Sequence, residues 1–160
     1  MSIPAHRIQL AELAQRQYAA MARLEGSIEL DGRLRELIKL RASQINGCAF
    51  CIDMHWKDAR AAGESEERLY SLNAWRESPL YDEREQAALD LCEAMTLIAD
   101  THVPDDVWRR AEEQFAPEVL AQLVFAITAI NAWNRIAITS RTDPGHYRPG
   151  MFGEQPAAAA

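Results

Sequence analysis

No stretch of this chain sustains the roughly 20 apolar positions that a membrane-spanning helix requires. The most apolar segment, Val119 to Ile138, is interrupted by Gln122, Thr128, Asn131, Asn134 and Arg135, so it reads as a buried helix and no membrane partner is expected. Basic residues are in deficit, 17 against 24 acidic, for a net charge of −7. A nucleic-acid partner would want a basic face, and this balance argues against one. The three cysteines are too few for the disulfide framework of a small secreted domain. The first residues, Met1-Ser2-Ile3-Pro4-Ala5-His6-Arg7, lack the apolar stretch and cleavage site of a secretory signal, and a cytoplasmic location is expected. The seven glycines are scattered and form no dinucleotide-binding fingerprint, so no cofactor is expected. Alternating β-branched runs are missing, and no period of about 20 to 50 residues marks a repeat array.

What the chain does have is helical periodicity. Its 160 residues, 48% hydrophobic and 26% charged, suit one domain with its own core. Ile8 to Leu24 places Ile8, Leu10, Leu13, Ala14, Tyr18, Met21 and Leu24 at three- and four-residue steps, which predicts one helix. Asp31 can cap a second helix with Leu34, Leu37, Ile38, the Arg41 stem and Ile45 on one stripe, and Asn46-Gly47 should stop it. A third helix runs from Cys48 to about Gly63, and Ser65 caps a short fourth piece, Glu66 to Asn73. Asp82 with Glu85 resembles a capping box ahead of Ala88, Leu91, Met95 and Ile98. A shorter helix follows Pro104, and Pro117 fits the first position of the last long one. That last helix is apolar on more than one side, so it is either the central helix or shared between a core and a subunit contact. The expectation is an all-α fold of six to seven helices: a single domain over 1–142, then an irregular tail over 143–160 whose last residues are disordered.

The chemistry concentrates in Asn46-Gly47-Cys48-Ala49-Phe50-Cys51-Ile52-Asp53-Met54-His55. If residues from Cys48 onward are helical, Cys48, Cys51 and His55 share one strip of surface. The first turn of a helix favours negative charge, and a CxxC setting can lower a thiol pKa from about 8.5 into the range of about 3.5–7.5. His55, four residues past Cys51, can act as its base or as its imidazolium partner. Cysteines three apart can also close into a disulfide, their Cα separation falling within about 4.4–6.8 Å.

Other readings of these residues stay open. Cys-x2-Cys-x3-His supplies three zinc ligands, although no second cysteine pair exists and His6, His102 and His146 lack obvious pairing. The two cysteines could be small core residues, and for Cys92, alone on an apolar helix face, that structural reading is preferred. Glu36 lies off the Leu34–Leu37–Ile38 stripe, where a solvated carboxylate paired with Lys39 or Arg33 is the default.

The run Glu36-Leu37-Ile38-Lys39-Leu40-Arg41-Ala42-Ser43, then Cys48, Cys51 and His55, resembles the core motif of alkyl hydroperoxidase D-like proteins of the carboxymuconolactone decarboxylase superfamily. The match is in spacing: a glutamate, eleven residues, Cys-x-x-Cys, three residues, a histidine. Trp75 to Leu80 and the Asn134-Arg135 region are similar to peroxidase-related members. The resemblance implies a helical fold assembling as a homo-oligomer (dimer, trimer or hexamer) and a thiol peroxidase acting on organic hydroperoxides. It makes Cys51 the peroxidatic and Cys48 the resolving cysteine, with His55 and Glu36 as proton relay and a thiol or dithiol protein as reductant. On this reading Glu36 sits in a partly apolar pocket with a raised pKa. Phe50 stands where well-studied relatives have a histidine. Two alternatives are a cofactor-free decarboxylase of the same superfamily and a non-enzymatic redox sensor or scaffold.

Overall fold

A computed structural model describes residues 6–152. Among them every regular element is helical, in the order α1 (Leu10–Leu13), α2 (Gln15–Gly26), α3 (Gly32–Asn46), α4 (Ala49–Ala61), α5 (Glu66–Ser71), a 3-10 segment (Leu72–Glu77), α6 (Glu83–Thr96), α7 (Ile98–Thr101), α8 (Asp105–Gln114) and α9 (Pro117–Ser140). The all-α expectation holds, but the described residues form nine α-helices where six to seven were expected.

Two interruptions make the difference. Ala14 (φ −127°, ψ 47°) breaks the expected first helix into α1 and α2. Leu13 is exposed, as is Ile8 ahead of α1, while Leu10, Ala14, Tyr18, Met21 and Leu24 keep the half-buried stripe read there. The Asp82 helix ends at Thr96, and Leu97 (φ −97°, ψ 33°) separates it from α7. Ile98 therefore leaves the apolar face assigned to it and is exposed.

The punctuation residues act as their chemistry dictates. Asp31 accepts from the Leu34 N–H at 2.9 Å, and Ser65 accepts from the Arg68 N–H at 3.3 Å. Asp82 and Glu85 form the reciprocal capping box. Pro117 opens α9, where its missing N–H leaves nothing unsatisfied.

α3 lies at the centre, packed against α4, α6 and α9. Leu34 through Leu40 are buried without a gap, including Arg35, Glu36 and Lys39. Burial of each large apolar side chain here contributes roughly 1.5–3 kcal/mol, and Leu34, Leu37, Ile38 and Leu40 fill both main clusters of the core. The charged members need partners at this depth. Lys39 donates to Glu25 of α2. Arg41 (2.7 Å) and the Trp75 indole (2.8 Å) both donate to Glu93 Oε1, which clamps α3 and the 3-10 segment to α6.

By length and composition α9 could cross a membrane, but Leu120, Leu123, Ile127, Ile130 and Asn134 are buried within the protein. It packs against α2, α3, α4, α6 and α8, alongside the central α3. Phe125 and Ile138 remain exposed on its outer edge. Beyond α9 the described chain holds only turns and bends through Phe152. The expected disorder of the last residues, 153–160, lies outside the described residues.

Candidate active site

Gly47 (φ 68°) ends α3 in the left-handed region, where a Cβ would be strained. Its N–H donates to Gln44 O at 3.2 Å, and the Cys48 N–H donates to Ser43 O at 3.0 Å, closing the helix end. Cys48 is extended and caps α4, so it stands outside the helix that the sequence reading gave it. Only Gly47 and Cys48 separate the two helices, and the cysteine pair is set against the end of the most buried one.

Cys48 and Cys51 are joined by a disulfide with Cα atoms 5.4 Å apart. The Cys51 N–H donates to Cys48 Sγ at 3.4 Å, which puts that sulfur in the cap position. His55 follows one turn later on the same strip. That strip faces inward: Cys48 is 1% exposed, Cys51 2% and His55 3%. The sequence reading placed it on the surface. Because α4 packs against both α3 and α9, the reactive strip is shared with the core, and Ala137 and Phe50 pack against the sulfurs.

Glu36 is brought to this strip from α3. Its Oε2 lies 2.8 Å from His55 Nδ1. Burial alone would raise the Glu36 carboxyl, but His55, by charge and hydrogen bond, together with Lys39 and Arg35, holds it below the ordinary carboxylate range. The raised value expected from an apolar pocket is thus overturned, because His55, Lys39 and Arg35 surround the buried carboxyl. An ionised Glu36 accepts from Nδ1–H, and this tautomer leaves the basic lone pair on Nε2. Nε2 is buried and has no protein hydrogen-bond partner. The solvated carboxylate that was the default for Glu36 is not found.

Sequence reasoning missed Asp58 and Tyr147. Asp58 lies three residues past His55, a spacing that puts both on one helix face and could have marked it. One ligand atom each from Glu36, His55 and Asp58 lie within 4.8 Å of one another. Tyr147, from the segment after α9, donates to the two Asp58 oxygens at 2.8 and 2.9 Å. Burial raises the Asp58 carboxyl and the nearby Glu36 adds to the shift, against the Tyr147 hydrogen bond. Three such groups also suit a divalent cation in principle. Asp58 is engaged by Tyr147 and Glu36 Oε2 by His55 Nδ1, while Glu36 Oε1 and His55 Nε2 are buried without a hydrogen-bond partner among the described residues. The same segment is fixed by Gly145 N–H to Asp53 (3.0 Å), Lys57 to Tyr147 O (3.1 Å) and the Phe152 ring against Phe50, centroids 6.5 Å apart.

Cys92 stands apart on α6. It is fully buried, its thiol donates to Ile38 O at 3.2 Å, and burial pushes its pKa up to about 12. Its structural reading agrees with this setting.

This chain is similar to YdfG of Bacillus subtilis, 54% identical over 104 residues that cover 65% of this chain and 71% of YdfG. A crystal structure from Agrobacterium tumefaciens, of a protein whose suggested role is antioxidant defence as AhpD, superposes with a TM-score of 0.86 at 42% identity, covering 89% of this chain and all of that one. A peroxidase-related protein of Silicibacter shares the fold (TM-score 0.73, 22% identity, 86% of this chain and 75% of that one). The carboxymuconolactone decarboxylase family model matches residues 12–94, which hold Glu36, Cys48, Cys51, His55 and Asp58. The chain belongs to the carboxymuconolactone decarboxylase family.

Proposed function

We propose that the protein is a thiol-dependent peroxidase that reduces organic hydroperoxides in antioxidant defence. The observation carrying this reading is the bonded Cys48–Cys51 pair followed by His55, whose Nδ1 is held at 2.8 Å by a buried carboxylate. In the reduced protein His55 Nε2 takes the Cys51 proton. The thiolate attacks the peroxide oxygen, the O–O bond breaks, and the leaving alkoxide takes a proton to depart as alcohol. Cys51 is then a sulfenic acid. Cys48 sulfur displaces its hydroxyl as water and forms the disulfide, and an external dithiol returns two electrons and two protons.

Assigning Cys51 as the attacking sulfur follows its place one turn before His55. The cap position of Cys48, where backbone N–H groups favour a thiolate, supports it as the better leaving sulfur when the disulfide is reduced. Assembly as a homo-oligomer and a cytoplasmic setting belong to the same proposal, and light scattering of the purified protein measures the first.

The test is consumption of cumene hydroperoxide with dithiothreitol as reductant. Cys51→Ser should abolish turnover, and Cys48→Ser should stop after one equivalent. Undiminished turnover by the double serine variant would refute the reading. Acid formation from a lactone or β-keto acid that survives thiol blocking would point instead to decarboxylase-type chemistry.

A further inference from the structure

Resting on the thiol-peroxidase reading, we infer that Asp58, oriented by the Tyr147 hydroxyl, is a positioning residue of the proton relay that must be ionised for His55 to take the Cys51 proton.

The geometry sets two carboxylates against one imidazole inside the protein. Glu36 holds Nδ1–H, and an Asp58 oxygen lies within 4.8 Å of the other two groups. A neutral imidazole gains little from a second carboxylate. An imidazolium gains much, because interactions between opposite charges strengthen where water is excluded. Asp58 therefore acts at the moment the Cys51 proton arrives on Nε2. The step conserves charge and protons: the S–H bond breaks, an N–H bond forms, and thiolate and imidazolium replace two neutral groups.

Tyr147 selects the charge state this requires. Its hydroxyl donates to both Asp58 oxygens, and a carboxylate accepts such a bond better than a carboxylic acid does. Facing Asp58 are Glu36 and Lys39 from α3, His55 from its own helix and Tyr147 from the segment after α9. Glu36 and burial favour protonation of Asp58, while Tyr147, His55 and Lys39 oppose it. The phenol thus opposes the burial that raises the Asp58 carboxyl, although it lies 89 residues away in sequence.

The experiment follows alkylation of Cys51 by iodoacetamide in the reduced full-length protein between about pH 4 and 9, read by mass spectrometry. Tyr147→Phe keeps the ring that stacks on Phe152 and removes only the hydroxyl. It should move the acid limb of the profile up by about half a pH unit or more, since Asp58 then protonates more readily. Asp58→Asn should slow alkylation near neutrality by about tenfold, and Asp58→Glu should restore part of the rate. Profiles of Tyr147→Phe and Asp58→Asn that overlay the parent's overturn the inference. Because alkylation consumes no peroxide, shifted profiles in a protein that reduces no hydroperoxide would sink only the peroxidase reading. Active turnover with unmoved profiles would sink only the role of Asp58.

Discussion

The carboxamides of Asn46 and Asn134 meet at 2.9 Å, Asn46 Nδ2 donating to Asn134 Oδ1. Asn134, fully buried, donates in turn to Ser43 Oγ at 3.0 Å, and Asn46 also donates to Asn131 Oδ1 at 2.9 Å. The last turn of α3, and the Gly47 bend into the cysteine pair, are thereby tied to α9 by amide groups, of which that of Asn134 is shielded from water. Asn134→Ala strips partners from the Asn46 amide and the Ser43 region at once. It should cost about 2–3 kcal/mol, seen as a lower urea midpoint with an unchanged slope.

The two buried carboxyls should leave opposite marks on stability against pH. Glu36 titrates lower in the folded chain than in the unfolded one, so its contribution is present above about pH 4.3 and is lost as pH falls through its folded value. Asp58 titrates higher when folded, so the folded protein binds its proton more tightly and stability declines as pH rises from about 3.9 through the folded value. Chemical denaturation at a series of pH values checks both. Glu36→Gln should flatten the loss of stability on acidification, and Asp58→Asn should remove part of the opposing decline.

Cys92 should be silent. Buried, with its pKa pushed up to about 12, it presents almost no thiolate at neutral pH. A thiol-specific reagent should find no reactive sulfur in the native oxidised protein and one after unfolding. Cys92→Ala should leave hydroperoxide turnover unchanged.

The sulfurs are covered by Phe50, and Phe152 stands edge-on to Phe50. Phe152→Ala removes the outer ring, which also stacks on Tyr147. Reduction of the disulfide by dithiothreitol, followed by release of thiols, should become several-fold faster, because less apolar surface has to part before the reductant reaches sulfur. An unchanged rate would mean that access comes from another side.

Most of the fold was legible because its signals are local. Asp31, Ser65, Asp82, Pro117 and Gly47 each act within a few residues of themselves, and each delimits the helix expected of it. The Ala14 break was not legible, since alanine is the best helix former and the apolar spacing runs through it without a pause. The same limit governed the site. The spacing of Cys48, Cys51 and His55 pointed to one strip, but whether that strip faced water depended on α3 and α9, distant partners that periodicity does not identify. From its own position Glu36 read as a surface residue, and only the resemblance pointed it to the site, because charged side chains seldom enter a core unpaired and its partner lies 19 residues away on another helix. Tyr147 carried no pattern at all: its role exists only where the chain returns across α4.

The uninterrupted burial of Leu34 through Leu40 has one more consequence. The proposed relay carboxylate, Glu36, is carried by the element most sheltered from solvent, so the amides around it should be among the last to exchange with deuterium, after those of α1 and α2. The Glu36–His55 pairing would then persist through partial openings that already free the ends of the chain.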